Sequence, residues 1–217
     1  FQTALNPQMM KSYAAGELES MHLLLFRSAK FTFMLLLCLM LPLMLEIDIV
    51  LGLWLKQVPE YTNIFVCLML CISMIDAVSN PFMTASAATG RVKKYQSVVG
   101  GILLSIVPIA YIVLKLGAEP YAVFIVHFCI AIAAFIARIS IIRKMIKLSV
   151  REYIYKAIMP CTYVAFPSII MSLLTKWLLP NGFAYAIVMI MLTVFFVASY
   201  SILFGLSRNE RNKKKKK

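Results

Sequence analysis

Residues 61–88 read YTNIFVCLMLCISMIDAVSNPFMTASAA, and this stretch decides the fold. It is long enough to cross about 30 Å of hydrocarbon as a helix, and Asp76 is its only charged residue. Unpaired backbone groups are not tolerated in lipid, and barrel strands would alternate in polarity. We therefore predict an all-α integral membrane protein with six transmembrane helices, at residues 31–49, 61–88, 98–116, 121–137, 157–179 and 183–206.

Composition supports this class of protein and argues against soluble ones. The chain is 62% hydrophobic and only 14% charged. A water-soluble domain of 217 residues could not bury that many apolar side chains in its core. The net charge of +13 is spread over loops, which favours contact with anionic lipid headgroups over binding to nucleic acid. The five cysteines lie in apolar stretches and no ligand cluster surrounds them, so we expect neither a metal nor a cofactor.

The basic residues predict the orientation. All but three of the 22 Lys and Arg residues lie before the first crossing, between the second and third, between the fourth and fifth, or after the sixth. The exceptions are Lys56, Lys115 and Lys176. Because short loops rich in Lys and Arg stay in the cytoplasm, both ends of this chain are expected to be cytoplasmic.

Residues 138–156 form the longest predicted connection on the basic side. Ile139, Ile142 and Ile146 recur at helical spacing, while Arg143 and Lys144 take other faces, which favours a basic amphipathic helix lying along the inner leaflet. An extension of the fourth and fifth crossings is the alternative.

The remaining boundaries follow from breakers and charge runs. Asn6 and Pro7 are expected to break any incoming helix. The chain starts at Phe1 and has no signal peptide, so we expect a C-terminal fragment of a larger protein. The predicted organisation is the end of a preceding helix with a cytoplasmic loop (1–30), four crossings (31–137), the basic connection (138–156), two crossings (157–206) and a polybasic cytoplasmic tail (207–217).

Asp76 is the clearest functional candidate, because an ionisable group within a membrane span is costly unless it faces water or a partner. Ser79 and Asn80 lie one turn further along, and Pro81 frees a carbonyl about one turn before itself. These groups together could bind a cation or a sugar hydroxyl. The alternative is a polar pair that holds two helices together.

Three other polar residues are candidates for a functional role, and each also has a purely structural interpretation. His127, within the fourth crossing, could gate protons or could hydrogen-bond a neighbouring helix while neutral. Glu46 and Asp48 could form an acidic mouth on a cavity, although the favoured interpretation is that both reach water.

Arg91, Lys93 and Lys94 could meet a lipid headgroup or pyrophosphate at the inner surface, where topology alone would also place them. No ATP-binding loop or zinc-hydrolase motif occurs, so we do not expect an enzyme.

Three loop motifs resemble those of polysaccharide flippases. They are NP at 6–7 followed by KSYAAGE at 11–17, LWLKQVPEYT at 53–62, and AATGRVKKYQ at 87–96. The last is similar to an A-x-G-[KR]-x-[KR]-x-Y-Q loop of the O-antigen and polysaccharide flippases in the multidrug/oligosaccharidyl-lipid/polysaccharide exporter superfamily. The resemblance covers about residues 1–150, and the last two helices match only in placement.

The resemblance implies the C-terminal part of a transporter with roughly 12–14 helices in two lobes around a cavity. The implied substrate is an undecaprenyl-pyrophosphate-linked oligosaccharide, flipped across the bacterial inner membrane for O-antigen or other surface polysaccharide. The implied partners are the lipid bilayer, this substrate and the missing N-terminal lobe. Cavity arginines often meet the pyrophosphate in the family, but here Arg138 is expected at the inner end of its crossing, so none is expected deep in a span.

Three other functions remain open from the sequence. A cation-coupled multidrug exporter of the same superfamily would use Asp76. A membrane-embedded transferase would need a cluster of carboxylates or histidines, which the sequence does not offer. A non-catalytic membrane scaffold is the last alternative.

Overall fold

The computed structural model describes residues 2–55, 57–178 and 183–202, and these are almost entirely helical with no strand among them. The helices are α1 (Gln2–Ala14), α2 (Leu18–Leu45), α3 (Ile47–Trp54), α4 (Thr62–Ala88), α5 (Val92–Leu104), α6 (Ile106–Lys115), α7 (Ala122–Met145), α8 (Val150–Tyr153), a π-helical turn (Ile154–Ile158), α9 (Met159–Leu178) and α10 (Phe183–Tyr200). The predicted all-helical fold is confirmed.

Five helical segments are long and apolar enough to cross a membrane, as in a multi-pass membrane protein. They are α2, α4, α5 with α6, α7, and α8 through α9. The described apolar part of α10, Tyr185–Tyr200, is shorter. The connection between the last two predicted crossings, the end of the sixth crossing and the polybasic tail 207–217 lie outside the described residues.

The two ends of the helix bundle differ in charge. Arg91 immediately precedes α5, Lys93 and Lys94 lie in its first turn, and Arg143 and Lys144 lie in the last turn of α7. We call this the basic end. Residues 57–61 and 116–121 lie at the opposite end.

Asn6 and Pro7 do not break the first helix, so that prediction is wrong. Helix α1 continues through Pro7 to Ala14, and the chain then turns at Gly16 with a positive φ of 77°. Proline removes only one backbone hydrogen bond here, and α1 packs along both α2 and α4. Packing therefore outweighs the local preference for a break.

The single interfacial helix predicted at 138–156 is also wrong. Residues up to Met145 belong to α7, the chain turns over 146–149, and α8 begins at Val150. Ile142 and Ile146 are 0% and 1% exposed, so the apolar face that suggested contact with lipid packs into the bundle instead. The alternative, an extension of the two neighbouring crossings, describes the structure.

Two apolar cores hold the bundle together. The larger core lies toward the basic end and joins α1, α2, α4, α5, α7 and α8, with Phe82 and Tyr153 fully buried at its centre. The smaller core joins the second half of α2 to α9 and α10 through Leu37, Val164 and Val197. Helix α4 touches the larger core along its second half, which fixes the depth and direction of Asp76.

Candidate functional site

An ion pair between α4 and α7 is the centre of the site. Arg138 Nη1 lies 3.2 Å from Asp76 Oδ1, and the same nitrogen donates a hydrogen bond to Ser79 Oγ. The Ser79 hydroxyl in turn donates to the backbone oxygen of Asp76 at 3.3 Å. The Arg138 side chain is 13% exposed, whereas that of Asp76 is 46% exposed. Asp76 is thus partly exposed, while the buried guanidinium of Arg138 balances its charge.

Arg138 lies within a longer helix than the sequence predicted. Helix α7 runs about two turns past the predicted end of its crossing, to Met145, so Arg138 lies inside it. Its side chain reaches Asp76, which is near the middle of α4. The Arg138 Nε is buried and has no partner within the part of the chain described.

The carbonyl that Pro81 frees is already occupied. It belongs to Ala77, four residues earlier, and it accepts a hydrogen bond from Gln2 Nε2 at 3.0 Å. A second contact, from Thr84 Oγ1 to Asn6 Oδ1 at 3.0 Å, holds α1 to the same side of α4. The predicted use of that carbonyl as a ligand is therefore wrong for this structure, while Asp76 and Ser79 do lie together.

The next carbonyl along α4 accepts a hydrogen bond from a different helix, α8. The hydroxyl of Tyr153, which is fully buried, donates to Val78 O at 2.8 Å. The π-helical turn follows directly, where Met159 N–H donates to Ile154 O, five residues earlier. Because Pro160 offers no N–H, the usual pattern cannot continue there, and the wider turn results.

The remaining candidates on these helices are more peripheral. Asn80 is exposed beside Asp76 on α4. His127 is half-buried, and eleven residues along α7 place it about 16 Å from Arg138 toward the opposite end. The structure thus brings Asn80 to the ion pair and leaves His127 apart from it.

Glu46 and Asp48 tie helices together at the opposite end. Lys176 Nζ on α9 lies 3.7 Å from Glu46 Oε1 and also donates to Leu45 O. Glu46 is only 11% exposed, so the interpretation that it reaches water is wrong. Asp48 is exposed as expected, and its Oδ1 accepts a hydrogen bond from Asn63 Nδ2.

The three basic candidates are exposed, whereas the tyrosine that follows them in sequence is buried. Arg91, Lys93 and Lys94 are exposed at the basic end and do not enter the site. Tyr95, next in sequence, is 2% exposed and lies within electrostatic range of both Arg138 and Asp76. Sequence reasoning missed Tyr95, although it is the tyrosine of the AATGRVKKYQ motif and so carried a signal.

An acidic and aromatic cluster marks the turn before α4. Tyr61 has a positive φ of 65°, and its ring lies 5.7 Å from that of Tyr121. The carboxylates of Glu119 and Glu60 raise the pKa of Tyr61, because a phenolate would be repelled by both. Two acidic side chains, Glu60 and Glu119, therefore lie close to Tyr61 at this end of the bundle.

The chain matches no protein-family model, no curated protein and no solved structure.

Proposed function

We propose that this chain is part of a flippase that moves a lipid-linked oligosaccharide across a membrane. The observation that carries the proposal is the Asp76–Arg138 pair, which combines a position inside two membrane-length helices with 46% exposure of the carboxylate. Placing a charged side chain at the centre of a bilayer raises the free energy by roughly 2.5–3.5 kcal/mol or more, unless the side chain meets water or a polar partner. The exposed half of Asp76 is best explained by a water-filled path along α4 and α7.

The polar groups at the pair suit the hydroxyl groups of a sugar. Asp76 and Asn80 both offer oxygen atoms to such groups, because Asp76 is 46% exposed and Asn80 is exposed. An apolar recess of about 180 Å³ lies elsewhere between α2, α4 and α7, lined in part by Phe33, Val78 and Phe135. Neither residue of the pair lines it, so a sugar rather than a lipid chain is what this site would contact.

The loop motifs supply the substrate class. The three stretches at 6–17, 53–62 and 87–96 resemble polysaccharide flippases, which implies an undecaprenyl-pyrophosphate-linked oligosaccharide. On this proposal α10 completes a sixth crossing, an N-terminal lobe faces the α4–α7 surface, and the protein lies in the bacterial inner membrane with its basic end cytoplasmic.

A cation-coupled multidrug exporter is the second candidate, and the exposed half of Asp76 is what favours it. Arg138 argues the other way, because a carboxylate already neutralised by a guanidinium attracts a second cation less strongly. We therefore favour the flippase.

Deletion of the full-length gene tests the substrate class. We expect loss of surface polysaccharide together with accumulation of the lipid-linked unit in the cytoplasmic leaflet. Intact polysaccharide in a strain without a second copy would contradict the flippase, and drug sensitivity of that strain would then test the exporter.

Complementation of the same strain tests the site. Arg138→Gln and Asp76→Asn should each lower export about tenfold at equal membrane abundance, as expected when one charge-assisted hydrogen bond is lost. Ser140→Ala is the matched control on α7, because the Ser140 hydroxyl is exposed and bonds only its own helix at Ile136 O. Full export by both ion-pair variants would remove the pair from the transport path.

A further inference from the structure

A polar cavity of about 430 Å³ lies at the basic end, and neither Asp76 nor Arg138 lines it. Its polar walls are Glu19 and His22 from the first turns of α2, and Glu152 and Lys156 from α8 and the π-helical turn. The volume falls in the range of small-molecule sites, about 300–1,000 Å³. The proposed transport path does not use this cavity.

The cavity lies at the depth of lipid headgroups. Helix α2 has 28 residues and is therefore about 42 Å long, which exceeds the roughly 30 Å of hydrocarbon. Its apolar run begins only at residue 31, after Arg27 and Lys30, so the first two turns extend into the polar interface. Leu23 and Phe26 line the cavity as well, and Leu23 is 45% exposed. The site thus combines charged walls with an apolar edge toward the acyl chains.

The charges inside the cavity are of both signs and are accessible. Lys156 Nζ lies 3.4 Å from Glu152 Oε2, and both side chains are about half exposed, at 56% and 52%. Glu19 is exposed and adds a second carboxylate. His22 bonds Ile146 O through Nε2 at 2.9 Å, so its ring is held in place as a wall. Two carboxylates therefore face one ammonium group, within an end that is otherwise strongly basic.

We infer that this cavity binds the headgroup of a zwitterionic phospholipid that carries a primary ammonium, as in phosphatidylethanolamine. The ammonium lies between Glu19 and Glu152, and the phosphate meets Lys156. A primary ammonium can donate three hydrogen bonds to the carboxylates, whereas the trimethylammonium of phosphatidylcholine can donate none. An anionic headgroup such as phosphatidylglycerol brings no cation to the two carboxylates, although the basic end as a whole attracts it.

The test is lipid binding by the purified full chain in detergent micelles, counted by native mass spectrometry. Phosphatidylethanolamine, phosphatidylcholine and phosphatidylglycerol with the same acyl chains are titrated in turn. We expect phosphatidylethanolamine to bind about tenfold more tightly than phosphatidylcholine, since charge-assisted hydrogen bonds are lost in the latter. Equal binding of the two, or tightest binding of phosphatidylglycerol, would overturn the inference.

Variants locate the binding. Glu19→Gln with Glu152→Gln should abolish the preference for phosphatidylethanolamine, whereas Glu17→Gln should keep it. Glu17 is an exposed carboxylate at the same end that does not line the cavity, which makes it the matched control. An unchanged preference in the double variant would overturn the site. Circular dichroism establishes that the variant is folded, and if it is not, the wild-type comparison of lipids decides alone.

Discussion

Pro81 removes one backbone donor from the middle of α4, and Gln2 replaces it from a different helix. The side-chain amide of Gln2 donates to Ala77 O, the carbonyl that the missing N–H would have served. A buried carbonyl without a partner is costly in lipid, so this contact offsets part of the penalty of an internal proline.

The dependence of Gln2 on Pro81 can be measured by a double-mutant cycle. Gln2→Ala should lower the free energy of unfolding by about 0.6–1 kcal/mol, because Ala77 O loses its donor. In a Pro81→Ala background the backbone N–H at position 81 serves that oxygen, so the same change should cost almost nothing. Gln8→Ala, at an exposed position of α1, is the control. Thermal unfolding in detergent gives the values, and equal costs in both backgrounds would contradict the pairing.

Tyr153 provides a second residue-scale test. Tyr153→Phe removes the hydroxyl that donates to Val78 O and keeps the ring, whose centroid is 4.9 Å from that of Phe82. We expect a loss of about 0.5–1.5 kcal/mol in unfolding free energy. Tyr155→Phe alters an exposed neighbour and should have no effect on thermal unfolding. Indistinguishable melting of the two variants would show that the hydroxyl contributes nothing.

At this scale the sequence identified the polar residues of α4 but not their partners. Asp76 and Ser79 were predicted because a charge in an apolar run is conspicuous. Arg138 was missed because hydropathy ended its crossing at residue 137. Side chains on a helix tilt toward its N-terminus, which on α7 means toward the membrane interior, so the long arginine reaches inward from near the end of the run. Spacing along one chain cannot show which residue of another helix will lie opposite.

Among the elements, the turn at 146–149 divides what the pattern predicted as one helix. Lys147 adopts a positive φ of 52°, and Ser149 accepts a hydrogen bond from Glu152 N at 3.3 Å as the N-cap of α8. An amphipathic pattern reports that one side of a segment is buried but not by what, and here protein rather than lipid covers it. Helices α2 and α5 begin well before their predicted crossings for a related reason, since hydropathy marks the hydrocarbon and not the first helical turn.

Lys147→Gly distinguishes the turn from a continuous helix. Because glycine adopts positive φ without strain, we expect the unfolding free energy to rise by about 0.5–1 kcal/mol. Lys144→Gly, inside α7, should lower it by about 1 kcal/mol, since glycine is unfavourable within a helix. If both changes destabilise the protein in thermal unfolding, residues 138–156 form the single helix after all.

For the molecule as a whole, the distribution of charge predicts its orientation. Glu60→Cys and Arg91→Cys, each in a background without the five native cysteines, place one thiol at each end of the bundle. A thiol reagent that cannot cross membranes, added to intact cells, should label position 60 and leave position 91 unlabelled until the cells are opened, because basic loops remain in the cytoplasm. The reverse labelling would invert the topology.

The hydrogen bonds on α4 also determine how the molecule is able to move. A proline within a membrane helix ordinarily acts as a soft joint, but the two carbonyls beside this joint are fastened to α1 by Gln2 and to α8 by Tyr153. Bending that opened these contacts would cost their hydrogen bonds, so α4 is stiffened at the point where its own backbone ladder is weakest.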